Sequence, residues 1–406
     1  MSWWDAMQGA GCAAWSFPAS GRQRGSATTS AVQNVQVIQG QPLGSIFEPA
    51  LIDALLRCWY GRCPVWFVPI HLLLALPSSL AFGALVRLRR RLFQSGWLRV
   101  EHLPVPVIVV GNLTVGGSGK TPLTLALVRW LRQAGYSPAI VSRGYGGSAK
   151  TPMPVLPDSD PATVGDEPVL LARRAGCPLW IGRRRPDAAR QLLAFHPEVD
   201  VLIADDGLQH LALGRDIELV VVDAVRGFGN RHLLPAGPLR EPLSRLSEVD
   251  AVVVNGVQTL SLPAGCPRFL MQIAGVCFVN LADPKRWIAA ADFPAEFADL
   301  FAASPPNAIA GIGHPERFFN QLAALGINAT TQAFPDHHVY VESDLPAGTV
   351  LMTEKDAVKC ASIGNRLGRQ DLWFLAVDAD VEAGLKTLII DHLNPRKRDS
   401  NGPEIA

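Results

Sequence analysis

A glycine-rich segment that ends in lysine and threonine carries the clearest chemical signal in the chain. It reads Gly111-Asn112-Leu113-Thr114-Val115-Gly116-Gly117-Ser118-Gly119-Lys120-Thr121. A loop of this kind between a strand and a helix presents backbone N–H groups to phosphate oxygens, and the helix N-terminus favours negative charge. Lys120 would reach the β- and γ-phosphates, and the Thr121 hydroxyl would bind Mg²⁺. The sequence therefore predicts a nucleotide-phosphate site formed by Thr114, Gly116, Gly117, Ser118, Gly119, Lys120 and Thr121.

One position of this loop departs from the usual G-x-x-x-x-G-K-[ST] pattern. The pattern has glycine where this chain has Thr114. Taken alone, GGSGKT could also be a turn followed by a helix cap. An apolar strand pattern before it and an apolar helical face after it favour the phosphate-binding interpretation.

A second candidate site is the acidic end of the run VDVLIADD at residues 199–206. An aspartate at a strand tip beside a phosphate loop is in the right place to organise a metal ion. Asp205 and Asp206 would repel each other unless a cation lay near them. Asp-Asp-Gly is also good turn chemistry, so a surface turn is the alternative. We interpret the pair, with Thr121, as a Mg²⁺ site.

The segment Gly165-Asp166-Glu167-Pro168 opens a predicted helix. Asp166 could be its N-cap, with Glu167 as a first-turn acid. Phosphoryl transfer to an alcohol, however, needs a carboxylate that positions and deprotonates the hydroxyl. Judged locally, the two interpretations remain open.

Two irregular segments could contact an anionic substrate. The first is the glycine-rich stretch SRGYGG at 142–147, and the second is the long Gly/Pro-rich stretch at 226–242. Loops of this length and composition are usually either functional or disordered. Arg143, Arg240 and Glu241 are the candidates, although lone loop charges are more often only solvated.

The elements that must position these residues follow from hydrophobic periodicity. Short apolar runs indicate buried parallel strands: VPVIVV (105–110), PAIVS (138–142), VLIAD (201–205), ELVVVD (218–223) and AVVVN (251–255). After Thr121 the apolar residues lie on one helical face that ends near Gly135. Strand, glycine loop, helix and strand form a βαβ unit. From about residue 261, AIAGI and TVLMT each precede a helical pattern, which predicts a second, smaller α/β domain.

The N-terminal part contains a run of 22 uncharged residues, Val65 to Val86, followed by RLRRR. This length suits a bilayer crossing, and the arginines would keep the following chain in the cytoplasm. A helix that lies in the membrane interface is the second interpretation, and a buried core helix is the third. Residues 1–46 resemble a disordered extension, with no signal peptide pattern.

Composition excludes some functions. The chain has 406 residues, 37 Lys and Arg against 36 Asp and Glu, and a net charge of +1. This balance argues against a nucleic-acid partner, which would need a basic face. Seven scattered cysteines form no C-x-x-C pair and no zinc-type spacing, which suggests thiols in a reducing compartment.

The ordered motifs GNLTVGGSGKTP, VSRGYGG, GDEPVLLA, ADDGLQH, FGNRHLLPAGPLREP, GIGHPERFF and MTEKDAVK together resemble the tetraacyldisaccharide 4′-kinase family. The resemblance runs from about Phe47 to Val377. It implies a kinase of lipid A biosynthesis that phosphorylates a tetraacylated glucosamine disaccharide 1-phosphate with ATP and Mg²⁺. It also implies work at the inner membrane, with the catalytic domains facing the cytoplasm. The departure at Thr114 is explained, because this family's loop begins GN-L-[ST].

The resemblance also assigns residues. The family's catalytic carboxylate falls on Asp166, and its partner histidine, in a D-H-x-x-Y element, falls on His337. The metal-associated carboxylates fall on Asp205 and Asp206, with His210 close behind. The family's two domains close about a hinge, which would carry His337 to Asp166.

We therefore expect an α/β protein with a mostly parallel P-loop NTPase-type sheet flanked by helices, a smaller C-terminal α/β domain and an N-terminal membrane-associated helix. The expected divisions are a disordered extension (1–46), a membrane-anchor helical segment (47–100), a P-loop kinase core (101–260), the C-terminal domain (261–390) and a polar tail (391–406). The alternatives are a P-loop GTPase switch or metallochaperone-like protein, and a non-catalytic ATP-binding module. No N-K-x-D base-recognition motif supports the switch; VVVNG (252–256) is the nearest match. The oligomeric state does not follow from the sequence.

Overall fold

A computed structural model describes residue 51 and residues 54–257, 260–262 and 265–400, with the side chains of 395–400 left out. The predicted extension at residues 1–46 lies outside this range. One 13-stranded, mostly parallel sheet runs through the protein, flanked by helices. The predicted fold class is confirmed.

The first half of the sheet carries the phosphate loop. Its strands are β1 (Val107–Gly111), β2 (Pro138–Ser142), β3 (Met153–Pro154), β4 (Leu179–Ile181), β5 (Val201–Asp205), β6 (Ile217–Asp223) and β7 (Ala251–Asn255). The spatial order is β3-β4-β2-β5-β1-β6-β7, and only β3 is antiparallel to its neighbour. The five predicted strands match β1, β2, β5, β6 and β7 to within two residues at each end.

Helices cover both faces of the first half. The long N-terminal helix α1 (Val68–Gln94) comes first in the chain and contains a π-helical turn at His71–Ala75. The others are α2 (Lys120–Gln133), α3 (Pro161–Val164), α4 (Asp166–Ala175) and α5 (Arg185–Phe195). Helix α2 is amphipathic as predicted, because Leu123, Leu127 and Leu131 are fully buried against the sheet.

The second half contains β8 (Arg268–Asn280), β9 (Trp287–Ala289), β10 (Asn307–Ala310), β11 (Thr330–Ala333), β12 (Val350–Thr353) and β13 (Leu372–Val381). Its helices are α6 (Phe293–Glu296), α7 (Ala298–Ala303), α8 (Pro315–Ala324), α9 (Glu354–Leu367) and α10 (Ala383–Ser400). The two predicted strand–helix units are β10–α8 and β12–α9. Helix α10 extends through residue 391, where the sequence predicted a polar tail, and its Leu393 is buried in the core of the first half.

The long strand β8 joins the halves. Its first residues pair parallel with β7, and the remainder pairs antiparallel with β13. The parallel strands of the two halves therefore run in opposite directions. The end of β7 at Asn255 and the end of β13 at Val381 both meet Met271. Because loops at the carboxyl ends of parallel strands form binding sites, this convergence is where a site is expected.

The cysteines partly depart from expectation. Cys277 and Cys360 are buried free thiols, as predicted. Cys58 and Cys63 instead form a disulfide, so this pair departs from the expectation that most of the cysteines are thiols. Cys12 lies outside the described residues.

Candidate active site

A cavity of about 460 Å³ lies where the two halves of the sheet converge. The first half contributes the phosphate loop, Asp206 and Arg240, and the second half contributes Ile273, His337 and Lys355. Of the predicted phosphate-loop residues, Gly116, Gly117, Gly119, Lys120 and Thr121 line this cavity. Ser118 is buried behind the loop.

The phosphate loop is held by side-chain amides. Asn255, at the end of β7, donates to the Ser118 carbonyl at 3.0 Å, and Asn112 donates to the Gly116 carbonyl at 3.2 Å. Gly119 has a φ of 97°, and a Cβ there would lie 2.6 Å from Nδ2 of Asn255. Only glycine fits this tight approach. Asn255 belongs to the segment VVVNG, which most resembles an N-K-x-D motif. In the structure its side chain supports the phosphate loop.

The acidic pair has two different environments. Asp206 lines the cavity, with one oxygen 3.4 Å from Lys120 Nζ and another 3.3 Å from Arg240 Nη1. Burial works against its charge, but Lys120 and Arg240 hold the pKa of Asp206 below its ordinary value. Asp205 is buried behind it and accepts long hydrogen bonds from Thr124 and Ser142.

Burial raises the pKa of Asp205 to about 7, and the negative charges of Glu167 and Asp206 add to the effect. A carboxyl group that is this hard to ionise gains from a nearby cation. The oxygen donors of Thr121, Asp205 and Asp206 are of the hard type that Mg²⁺ prefers. The residues present therefore fit a magnesium ion.

The structure brings Asp166 and His337 together from opposite halves of the protein. Nδ1 of His337 lies 3.3 Å from Oδ2 of Asp166. Asp166 is 7% exposed, whereas His337 lines the cavity and contacts the Tyr145 ring, with 5.1 Å between ring centroids. The two residues are therefore in contact across the two halves in the described arrangement, and the predicted hinge motion stays a prediction.

Lys355 lies among three carboxylates next to Asp166 and His337. Its Nζ lies 3.1 Å from Glu167, 3.3 Å from Asp336 and 3.8 Å from Asp166. Burial alone would raise the pKa of Asp166, but the contact with His337 and the charge of Lys355 hold it below its ordinary value. The contact with Asp166 raises the pKa of His337. The cluster therefore favours an ionised Asp166.

Close backbone packing fixes the position of Asp166. A Cβ on Gly147 would lie 2.4 Å from the Thr163 carbonyl, and one on Gly165 would lie 2.4 Å from the Tyr145 carbonyl. The SRGYGG loop therefore packs directly against the turn that begins α4. The N-cap of α4 is Gly165, so the interpretation of Asp166 as N-cap is wrong.

The predicted substrate residues do not all reach the cavity. Arg240 lines it. Glu241 is buried, where it accepts from Gln209 at 2.9 Å and lies 3.5 Å from Arg245. His210 accepts from the Arg185 backbone N–H, and burial together with nearby arginines lowers its pKa to about 3. Arg143 is exposed and lies outside the cavity lining.

Sequence reasoning missed Lys355, Glu167 and Arg174, which all line the cavity. Lys355 could have been found from the sequence, because it lies in the first turn of the predicted helix α9. A cation is unfavourable at a helix N-terminus unless acidic groups compensate. Arg174 forms a buried ion pair with Glu354 at 2.7 Å, and nothing in its local sequence marks it.

The phosphate loop, the acidic strand end and the buried carboxylate define a P-loop kinase. The family model described as "LpxK: Tetraacyldisaccharide-1-P 4'-kinase" matches residues 70–394. The chain belongs to this family. Family membership favours a kinase over the switch GTPase and the non-catalytic ATP-binding module.

Named relatives agree with this membership. The tetraacyldisaccharide 4′-kinase of Dechloromonas aromatica is 50% identical over 327 residues, which cover 80% of this chain and 93% of the relative. That of Chromobacterium violaceum is 49% identical over 339 residues, or 82% and 97% of the two chains. A crystal structure of LpxK from Aquifex aeolicus, described as an "apo" form in complex with ATP, is 29% identical. It has a TM-score of 0.64 and covers 78% of this chain and 98% of that one.

Proposed function

We propose that this kinase transfers the γ-phosphate of ATP to the 4′-hydroxyl of a tetraacylated glucosamine disaccharide 1-phosphate. The observation that carries the proposal is the cavity itself. It places the phosphate loop opposite His337, which contacts Asp166. The relatives' names specify a tetraacyldisaccharide and its 4′ position, and the crystallised relative binds ATP.

In this proposal the backbone of Gly116 to Gly119 and the side chain of Lys120 hold the terminal phosphates. Asp166 accepts the proton of the sugar hydroxyl, and His337 orients its carboxylate. The alcohol oxygen then attacks the γ-phosphorus in line. Positioning and charge neutralisation supply most of the rate in such transfers. The contacts with His337 and Lys355 favour an ionised Asp166, which is the form that can accept a proton.

Magnesium would be held by Thr121, Asp205 and Asp206. A bound Mg²⁺ supplies neutralisation of the phosphate charge that develops during transfer. Asp206 is placed at the cavity wall, and Asp205 acts from behind it. Among the predicted substrate residues, Arg240 lines the cavity and could contact an anionic substrate group.

The substrate would reach this cavity from the cytoplasmic surface of the inner membrane. Helix α1 is long and apolar enough to cross a membrane, with a mean hydropathy of 1.7 over an 18-residue window. Its Ser79 donates to the Leu233 carbonyl at 2.8 Å, and Arg89 donates to the Gln209 carbonyl at 3.1 Å. The middle and the C-terminal part of α1 are thus attached to the protein body. We favour a helix that lies in the interface over one that spans the bilayer.

The test is a phosphate-transfer assay with purified full-length protein. Labelled ATP and Mg²⁺ are incubated with and without the tetraacyl disaccharide, and the lipids are separated by chromatography. We expect label in the lipid at its 4′ position and ADP release that depends on the lipid. Lipid-independent turnover of GTP would contradict the proposal and support a switch.

A further inference from the structure

Two cysteines and a histidine lie together where α1 meets the protein body. Cys58 and Cys63 are joined by the disulfide, and one imidazole nitrogen of His71 lies within 4.8 Å of both sulfur atoms. Cys58 is buried, whereas Cys63 and His71 are half-buried. None of the three residues lines the cavity described above.

His71 has two features that point to a ligand. It begins the π-helical turn His71–Ala75 inside α1, and such turns are rare and frequent at functional sites. Its Nδ1 atom is buried and has no hydrogen-bond partner within the described part of the chain. Buried polar atoms are nearly always satisfied, so this nitrogen calls for an explanation such as an absent ion.

The chemistry of the three side chains selects the ion. Thiolate sulfur and imidazole nitrogen are the preferred ligands of Zn²⁺, and two cysteines separated by four residues are within the spacing seen in zinc sites. We propose that the reduced forms of Cys58 and Cys63, together with His71, bind one Zn²⁺ ion. The sequence analysis considered the spacing of the cysteines alone, whereas the fold adds His71 of α1 to this pair.

The disulfide and the zinc site are alternative states of the same sulfur atoms. A small thiol reductant converts the disulfide into two thiols and is itself oxidised to a disulfide. Binding of Zn²⁺ then releases one proton from each thiol. In a reducing compartment, thiol–disulfide exchange favours the dithiol, which is the state that can bind a metal.

A metal at this position would join two segments that both contact the loop leading to Arg240. The backbone N–H of Asn230 donates to the Trp59 carbonyl at 2.7 Å, and its side chain donates to the Cys58 carbonyl at 3.1 Å. The same loop accepts a bond from Ser79 of α1 at Leu233 and leads on to Arg240 in the cavity. The zinc ion would therefore join the helix over 54–60 to α1 beside the loop that carries Arg240.

The test uses reduced full-length protein and Co²⁺ as a spectroscopic probe. We expect one Co²⁺ per chain with a thiolate charge-transfer band and tetrahedral d–d bands, all lost when one equivalent of Zn²⁺ is added. The variants Cys63→Ser and His71→Ala should bind at least roughly tenfold more weakly, as loss of a ligand or its support does elsewhere. Cys266→Ser removes a partly exposed free thiol and is the matched control, with unchanged binding.

The proposal fails if reduced protein shows no thiolate band, or if His71→Ala binds Co²⁺ as tightly as the parent. It also fails if protein oxidised with diamide binds Co²⁺ undiminished. Circular dichroism checks the fold of each variant, and His71→Gln replaces any His71→Ala protein that does not fold. These readouts do not use phosphate transfer, so they are independent of the proposed catalytic roles.

Discussion

At the scale of single residues, the candidate site consists of lysine and arginine side chains that are paired with carboxylates in a partly buried cavity. Lys355 contacts Asp166, Glu167 and Asp336, while Lys120 and Arg240 contact Asp206. Interactions between charges strengthen as water is excluded, so each of these residues influences the protonation of the next. Substitutions here are expected to alter rates and pH profiles more than the fold.

Replacing Asp166 with Asn preserves the size of the side chain and removes its charge. We expect kcat to fall by roughly 10²–10⁴-fold, because the proposed general base is lost. The KM for ATP should change little, since the phosphate loop holds the nucleotide. Steady-state kinetics measure both values. Asp158→Asn, at an exposed position, is the control; an Asp166→Asn enzyme with full kcat would disprove the role of Asp166.

Replacing Lys355 with Met should change the pH dependence of the reaction. Lys355 helps to hold the pKa of Asp166 below its ordinary value. A base works only when deprotonated, so activity is lost as the pH falls through that pKa. Without Lys355 the pKa rises, and the acidic limb of the kcat/KM profile should move to higher pH. Lys355→Arg keeps the charge and should keep the limb in place; an unmoved limb in Lys355→Met would refute this electrostatic role.

At the scale of secondary-structure elements, α4 and α9 hold the two halves of the site together. Asp166 and Glu167 begin α4, and Lys355 lies in the first turn of α9. Deeper in the same interface, Arg174 of α4 pairs with Glu354 of α9 at 2.7 Å and donates to the Val377 carbonyl. Burial raises the pKa of Glu354 above its ordinary value. The contact between these helices therefore depends on the Arg174 charge.

Replacing Arg174 with Met should lower the free energy of unfolding by about 3–5 kcal/mol, because it leaves a buried carboxylate without its partner. Adding Glu354→Leu should recover much of this loss. Urea denaturation followed by circular dichroism measures both. Arg184→Met breaks only exposed ion pairs with Glu101 and Asp187 and should cost about 0–1 kcal/mol. If the double variant is as unstable as Arg174→Met, the loss of stability does not come from the unpaired Glu354 carboxylate.

At the scale of the whole molecule, α1 covers one side of the protein body and exposes its other side. Ser79 and Gly83 of α1 are buried against the body, whereas Leu73 and Leu80 are 73% and 75% exposed. Exposed apolar residues in such number mark a membrane or partner surface. Arginines that follow on the same helix suit anionic headgroups.

Replacing Leu73 and Leu80 with Gln should weaken binding to vesicles that contain anionic phospholipid. Burying a leucine contributes about 1.5–3 kcal/mol, so we expect roughly tenfold or more per substitution. Vesicle co-sedimentation measures the binding. Activity on detergent-dispersed substrate should be unchanged, because neither residue lines the cavity. Leu300→Gln, another exposed leucine, is the control; equal loss in both proteins would argue against α1 as the membrane surface.

The fold and much of the site could be predicted from the sequence because their signals are local. Apolar runs identified β1, β2, β5, β6 and β7, and the order of glycines with Lys120 and Thr121 identified the phosphate loop. The pairing of Asp166 with His337 came from the family resemblance, since 171 positions separate the two residues in the chain.

Tertiary structure alone decided how these parts combine. The long strand β8 reverses the direction of the sheet, so the carboxyl ends of both halves meet and enclose one cavity. That meeting places Lys355 among three acidic groups, whereas packing within the first half buries Glu241. In the N-terminal segment, the chain between residues 58 and 71 folds back so that His71 lies beside Cys58 and Cys63. Such contacts depend on which elements pack together, and no local pattern in the sequence specifies that packing. The strands, the helices and the phosphate loop, in contrast, could be predicted because each is formed by residues that are close together in the chain.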